Sequence, residues 1–314
     1  MAYLVPEVFV RTPEALERQW SLQESLSYTR WLATHHYENF QVVSFLLPKR
    51  LHADFYNVYA FCRWADDLGD EIGDTRESLR LLAWWRSELE RLYTEGTATH
   101  PVFVALAGTI RAHQLPAAPF SDLITAFEHD QTNTRYKDWS EVLGYCRHSA
   151  NPVGRLVLYL CGYRDTEFHR LSDFTCTALQ LANFWQDVSV DLRKDRVYLP
   201  LDLLERHRYS VDDLFAGDED ERFQGAMAEA VSFADELFRK GLPLIDMVDR
   251  RLSLDLDLFS RGGMRVLDKI RQQDYRVLHN RPSIGKVERV TLLLTSLTRL
   301  VSFRRAAAFR ASAP

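Results

Sequence analysis

Glycine and proline are scarce in this sequence, 13 and 11 of 314 residues, and the marks of a membrane, secreted or nucleic-acid-bound chain are scarce with them. No window reaches the ~18 to 20 uninterrupted apolar residues of a spanning helix, and the nearest, Val290 to Phe303, is broken by Arg299. An integral membrane protein is therefore not expected. Basic excess is missing too: 39 Lys and Arg stand against 44 Asp and Glu, a net charge of −5, so nothing electrostatic calls for a nucleic-acid partner. Only four cysteines occur, Cys62, Cys146, Cys161 and Cys176, with no CxxC pair, which excludes a disulfide scaffold and predicts reduced, mostly buried thiols. The segment Met1 to Val10 carries Pro6 and Glu7 and no basic stretch, unlike a signal peptide, so a cytoplasmic location is expected. Period-two alternation is absent, and no G-x-G-x-x-G follows a strand pattern, so no strand-based dinucleotide site is expected.

What is present is apolar periodicity of three and four, which predicts helices over 14–35, 50–72, 75–94, 101–114, 119–130, 140–161, 165–190, 201–207, 222–249, 254–278 and 284–309. Hydrophobic residues make up 46% of the chain, enough for a large core, and the connections are short. The expectation is an all-α bundle in a single domain spanning 1–314.

Two carboxylate clusters carry the chemistry. In Tyr59-Ala-Phe-Cys-Arg63-Trp-Ala-Asp66-Asp67-Leu-Gly-Asp70, Asp66 and Asp70 lie four apart and share a helix face, with Arg63 one turn before them. Like charges so placed repel, and hard divalent cations that bridge their oxygens to phosphate remove the repulsion. Taken alone, the acidic run could equally be a solvated helix end. In the second cluster Asn183, Asp187 and Asp191 follow at steps of four, whereas Leu181, Ala182, Phe184, Trp185 and Val188 between them are apolar. A solvated face fits that pattern poorly; the competing reading is internal neutralisation by Arg193, Lys194 and Arg196. Two such helices would hold Mg²⁺ and, through it, a diphosphate, whose departure leaves a carbocation that a dry apolar cavity must steer.

On these residues the sequence resembles the squalene/phytoene synthase family, with paired motifs Asp66-x-x-x-Asp70 and Asp187-x-x-x-Asp191. The likeness runs from about His36 to Arg281 and takes in Leu46-Leu47-Pro48, Gly144-Tyr145-Cys146, Val153-Gly154 and Arg196-Val197-Tyr198. It implies an isoprenoid synthase bundle with a central apolar cavity. It also implies about two to three Mg²⁺ ions held by Asp66, Asp67, Asp70, Asn183, Asp187 and Asp191. Substrate contacts are implied for His36, Arg63, Gln180, Arg196, Tyr198 and Arg281, and catalytic roles for Tyr59, Tyr145 and Asn151.

Within the family the sequence is similar to the HpnC-type hydroxysqualene synthases of bacterial hopanoid biosynthesis, through His36-Tyr37-Glu38-Asn39-Phe40, Ser149-Ala150-Asn151-Pro152-Val153-Gly154 and Asn183-Phe184-Trp185-Gln186-Asp187. The implied substrate is presqualene diphosphate, the implied product hydroxysqualene, and NADPH is not expected. Peripheral contact with the inner membrane and work beside other hopanoid-pathway enzymes are open implications. Three positions depart from the general family pattern: Tyr37-Glu38-Asn39 for a serine-rich segment, Gln186 for an arginine, and Gly263 for a tyrosine found in head-to-head condensing relatives. They weigh against a two-substrate condensation, although squalene or phytoene synthesis remains the alternative, and a non-catalytic helical assembly factor is the alternative of another kind. Asn151 serves a water-positioning role or a helix-capping one equally well, and Tyr145 either faces the cation or packs as core. The seven tryptophans are expected in the core, with Trp64 and Trp185 turned from the ligand faces.

Overall fold

The computed structural model describes residues 3–35, 48–285 and Glu288. Fifteen α-helices occur among them and no strand. The one sheet-like feature is an isolated bridge between Arg135 and Val197. Two compact units divide the chain, one of residues 1–133 and 147–169, the other of 134–146 and 170–314.

The first unit contains α1 (Pro6–Phe9), α2 (Pro13–Glu17), α3 (Leu22–His35), α4 (His52–Asp70), α5 (Thr75–Glu95), α6 (Pro101–His113), α7 (Ala118–Asp130) and α9 (Asn151–Leu160). Helix α4 packs on α1, α3, α5, α6, α7 and α9. Its sequence suits that place: Phe55, Val58, Phe61, Trp64 and Leu68 are buried, and Ala60 and Ala65 let neighbours come close. The Trp64 ring stacks on Trp85 at 5.0 Å, and Phe61 meets Phe120 edge-on at 4.9 Å. One polar chain crosses this core. Thr29 donates to Asn57 Oδ1 at 2.7 Å, Asn57 Nδ2 donates to Thr109 Oγ1 at 3.0 Å, and Thr109 donates to Asp54 Oδ1 at 2.8 Å. It ties α3, α4 and α6 in one register, since buried amide and hydroxyl groups must find partners.

The second unit contains most of α10 (Thr166–Leu192), with α11 (Leu201–Arg206), α12 (Val211–Ala216), α13 (Glu221–Gly241), α14 (Leu244–Met247) and α15 (Arg250–Gln272). Its core gathers Trp185, Phe223, Met227, Phe238, Leu267 and Ile270. Ser210 and Asp213 form a reciprocal capping box that starts α12, a helix the sequence reading did not include. Helix α8 (Trp139–Ser149) has residues in both units.

Three predicted helices are divided. The 140–161 segment stops at Ser149 and restarts at Asn151, where Pro152 sits in the first turn and needs no hydrogen-bond partner for a backbone N–H. The 222–249 segment ends at Gly241 before Pro243, and 14–35 breaks between Glu17 and Leu22. Helix α15 begins four residues earlier than expected because Asp249 accepts from the amides of Arg251 and Leu252. The predicted 284–309 helix and the 290–303 apolar run lie outside the described residues, except Ile284, Gly285 and Glu288 at the start of the former. No described helix is long and apolar enough to cross a membrane. Cys146 is buried and the other three cysteines are half-buried, less enclosed than expected.

Asp255 on α15 is 3% exposed, and neither carboxylate oxygen has a hydrogen-bond partner among the described residues. Burial, with Asp249 adding to it, pushes its carboxyl up to about 8. Because the folded value lies above the unfolded one, the fold is penalised as pH rises from about 4 to about 8. Asp255→Asn should raise the melting temperature at pH 8.5 and leave it nearly unchanged at pH 4, read by calorimetry at both. Asn57→Ala should lower stability by about 1–3 kcal/mol in a denaturant titration, since it removes the buried amide that links Thr29 to Thr109.

Candidate active site

In the first unit, the last two turns of α4 present the first cluster. Asp66 is half-buried and Asp70 exposed, as their shared face requires. Asp67 is set apart: its side chain is only 4% exposed and lies 2.5 Å from Arg63 Nη2, with Arg63 Nη1 3.7 Å from Asp66. One residue is 100° of helix, enough to turn Asp67 toward the core side. Burial pushes its carboxyl up to about 7 even against the Arg63 charge. Arg63 Nε is itself buried with no hydrogen-bond partner among the described residues, a donor in need of an anionic oxygen. Tyr59, one turn earlier, is half-buried, and burial raises its hydroxyl above the ordinary phenol value. Asn151 is buried in the first turn of α9. His36 lies outside the described residues.

In the second unit, α10 separates its faces as the sequence pattern requires. Leu181, Ala182, Phe184, Trp185 and Val188 are buried, whereas Asn183 is exposed and Gln180, Asp187 and Asp191 are half-buried. Burial first, then the neighbouring Asp187 charge, pushes the Asp191 carboxyl up to about 6, against the pull of Arg196, Lys194 and Arg281. Arg281 closes on Asp187 through Nε, and Gln186 Nε2 donates to the Pro282 carbonyl at 2.6 Å, so residues 281–282 are fixed beside the motif. Partial neutralisation thus comes from Arg281, 94 residues away, whereas Arg193 donates instead to the Ser189 carbonyl at 3.1 Å.

Tyr198 lies flat on Phe184, with ring centroids 3.7 Å apart and planes 4° apart. Tyr136 stacks near Tyr198 at 5.5 Å, and Tyr145 stands 5.6 Å from Tyr136 and 5.9 Å from Tyr198. The structure therefore brings Tyr145 and Tyr198 into one aromatic group. Tyr136 and Phe184 belong to that group, and the sequence reading did not include either in the site. Phe184 carried a readable signal, being next to Asn183, but Tyr136 precedes α8 and has no helical period to mark it. A small cavity of about 10 Å³, room for a single water, is lined by Phe184, Trp185, Asp191, Arg196, Tyr198 and Leu214, among others.

Asp66 and Asp70 in the first unit, and Asn183, Asp187 and Asp191 in the second, each offer only oxygen donors, which fits a hard cation such as Mg²⁺. Among the described residues no three acidic, histidine or cysteine side chains converge on a point.

The family model for squalene/phytoene synthase matches residues 33–288. A hydroxysqualene synthase of Rhodopseudomonas palustris is 33% identical over 253 residues, covering 80% of this chain and 85% of the relative. A phytoene synthase of Thermus thermophilus is 32% identical over 286 residues, covering 90% and 94%. Among solved structures, that of squalene synthase HpnC from Alicyclobacillus acidocaldarius superposes with a TM-score of 0.78 at 43% identity, covering 81% of this chain and 96% of that one.

Asp187→Ala removes one carboxylate of the stripe and frees Arg281. The expected outcome is a fall of about a hundredfold or more in turnover of an isoprenoid diphosphate, with the helical circular dichroism kept. Turnover within threefold or so of the parent would exclude Asp187 as a ligand.

Proposed function

Because this chain belongs to the squalene/phytoene synthase family, and is thus an isoprenoid synthase with the all-α fold of that family, we propose that it is a Mg²⁺-dependent hydroxysqualene synthase. In this reading it converts presqualene diphosphate and water to hydroxysqualene and diphosphate. The C–O bond to the diphosphate breaks, water forms the new C–O bond to the rearranged cation, and one proton is released. No electrons are exchanged, so no NADPH is needed. The observation that carries the reading is the stripe Asn183, Asp187 and Asp191 along one face of a helix whose opposite face is buried, with Arg281 seated on Asp187.

When bound, Mg²⁺ supplies the positive charge that stabilises the departing diphosphate. The chain's own residues do the rest. Asp66, Asp70, Asn183, Asp187 and Asp191 offer oxygen ligands. Asp67, in this reading, holds Arg63 and adds to the acidic rim. Arg63, Arg196 and Arg281 offer guanidinium forks to the leaving oxygens, with His36, Gln180 and Tyr59 placed by motif beside them. Phe184, Tyr145 and Tyr198 present aromatic faces suited to a cation, and Asn151 is the candidate for holding the quenching water. We read 1–314 as one working domain, acting in the cytoplasm or at the inner membrane surface beside other hopanoid enzymes.

Between hydroxysqualene and phytoene synthesis the relatives are nearly balanced, at 33% and 32% identity, so residues must decide. Gly263 favours the former. A Cβ there would stand 2.3 Å from Phe238 Cζ and 3.0 Å from Leu179 Cδ2, so the site of a condensing relative's tyrosine is filled by the Phe238 ring. Leu179 is one turn before Asn183 on the stripe, which puts this closure beside the ligand face.

The test is product analysis by mass spectrometry with Mg²⁺, giving presqualene diphosphate alone and farnesyl diphosphate alone, each with and without NADPH. Hydroxysqualene from presqualene diphosphate without NADPH is the expected product. Squalene or phytoene from the shorter or a longer prenyl diphosphate would overturn the reaction and leave the fold and metal site standing.

A further inference from the structure

The second motif depends on a turn that α10 cannot supply by itself. After Leu192 the chain must reverse so that Arg196 and Tyr198 return to the helix end they have just left. It does so tightly: the amides of Lys194 and Arg196 both donate to the Asp191 carbonyl at 2.9 Å, and Asp195 takes a φ of 56°. That left-handed conformation strains a residue with a Cβ unless something holds it.

What holds it is Arg135, 60 residues away in sequence. Its Nη2 lies 2.5 Å from Asp195 Oδ1, and its Nη1 donates to both the Asp195 and Thr134 carbonyls. The planar fork thus grips side chain and backbone of the one strained residue together. The surrounding strut extends the grip. Val197 N–H donates to the Thr134 carbonyl at 2.9 Å, making the only bridge among the described residues, and Leu201 N–H donates to the Tyr136 carbonyl at 2.9 Å. Between those two bonds the Tyr136 ring stacks near Tyr198. Residues 134–136 therefore form a splint along 195–201, and every group in it belongs to the second unit.

We propose that Arg135 is a positioning residue of this site: its guanidinium holds Asp195 in the left-handed turn that brings Arg196 and Tyr198 back beside Asp191. The proposal rests on reading Asp191, Arg196 and Tyr198 as a diphosphate-binding group. Arg135 acts through the turn and not through its charge. Replacing Asp195 by glycine, which adopts positive φ without strain, should therefore stand in for the arginine.

The experiment is calorimetric binding of inorganic pyrophosphate with Mg²⁺ to the full chain, alongside KM and kcat with presqualene diphosphate. Arg135→Ala should raise the pyrophosphate dissociation constant about tenfold and KM in parallel, with kcat falling less. Adding Asp195→Gly to Arg135→Ala should bring the dissociation constant back to within about threefold of the parent. Should Arg135→Ala fold poorly, Arg135→Lys keeps the charge and loses the fork; the same weakening and the same rescue by Asp195→Gly are expected. Unchanged binding in these arginine variants, or weakened binding that glycine does not restore, overturns the positioning role. Arg196→Ala is the control that separates the two readings: if it leaves pyrophosphate binding intact, the diphosphate site itself is wrongly placed, whereas a loss there with no effect of Arg135→Ala condemns only the splint.

Discussion

Carboxylates spaced four apart on a largely buried helix are an electrostatic burden, and much else in the second unit can be understood as a response to it. Asp187 and Asp191 sit where Leu181, Phe184, Trp185 and Val188 exclude water from the adjoining face, so their charge is only partly screened. The raised carboxyl of Asp191 is the direct sign of that burden. A helix kept only for packing would be more stable with apolar residues at both positions. The stripe therefore carries a charge that packing alone does not explain, which is why the proposed function assigns it to cations and a diphosphate.

Arg281 shows how the protein lives with that burden in the meantime. Its pairing with Asp187 supplies one positive charge directly at the stripe. The contact is half-exposed at the arginine, with 47% of its side chain accessible, so screening keeps the pair weak enough to exchange. Arg63 behaves differently. Its Nη2 stays on a nearly inaccessible Asp67, and its buried Nε remains without a hydrogen bond, so it is held in place with one donor left over. The arginine at the second motif is thus half-exposed and the one at the first anchored.

How far the sequence foretold this depends on whether the signal was periodic. The two faces of α10 were legible because the apolar set and the oxygen set each repeat at helical spacing, and burial sorted them the same way. Trp64 and Trp185 were legible for the same reason, and both are fully buried. Helix breaks were less so: the interruption at Ala150 turns on a single Pro152 within an unbroken apolar pattern. Asp67 could not be separated from Asp66 by spacing, since adjacent acids differ only in which side of the helix wall they meet. Arg281 came from resemblance alone, because no local pattern links residues 94 apart.

Residues 134–136 lay beyond reach for a sharper reason. A splint is made of backbone bonds from Thr134 and Tyr136, which any sequence can make, and of one side chain whose partner is a strained φ. Neither leaves a compositional trace. Asp195 reads as one more acid after the motif, and Arg135 as one more surface base, until the turn between them is seen. Motif residues announce themselves because chemistry restricts their type, whereas the groups that aim them are restricted by geometry. A site that must favour a transition state over simple binding depends on the geometry of its groups as much as on their identity. The support of Arg196 and Tyr198 is then as much part of the site as the residues that touch the substrate.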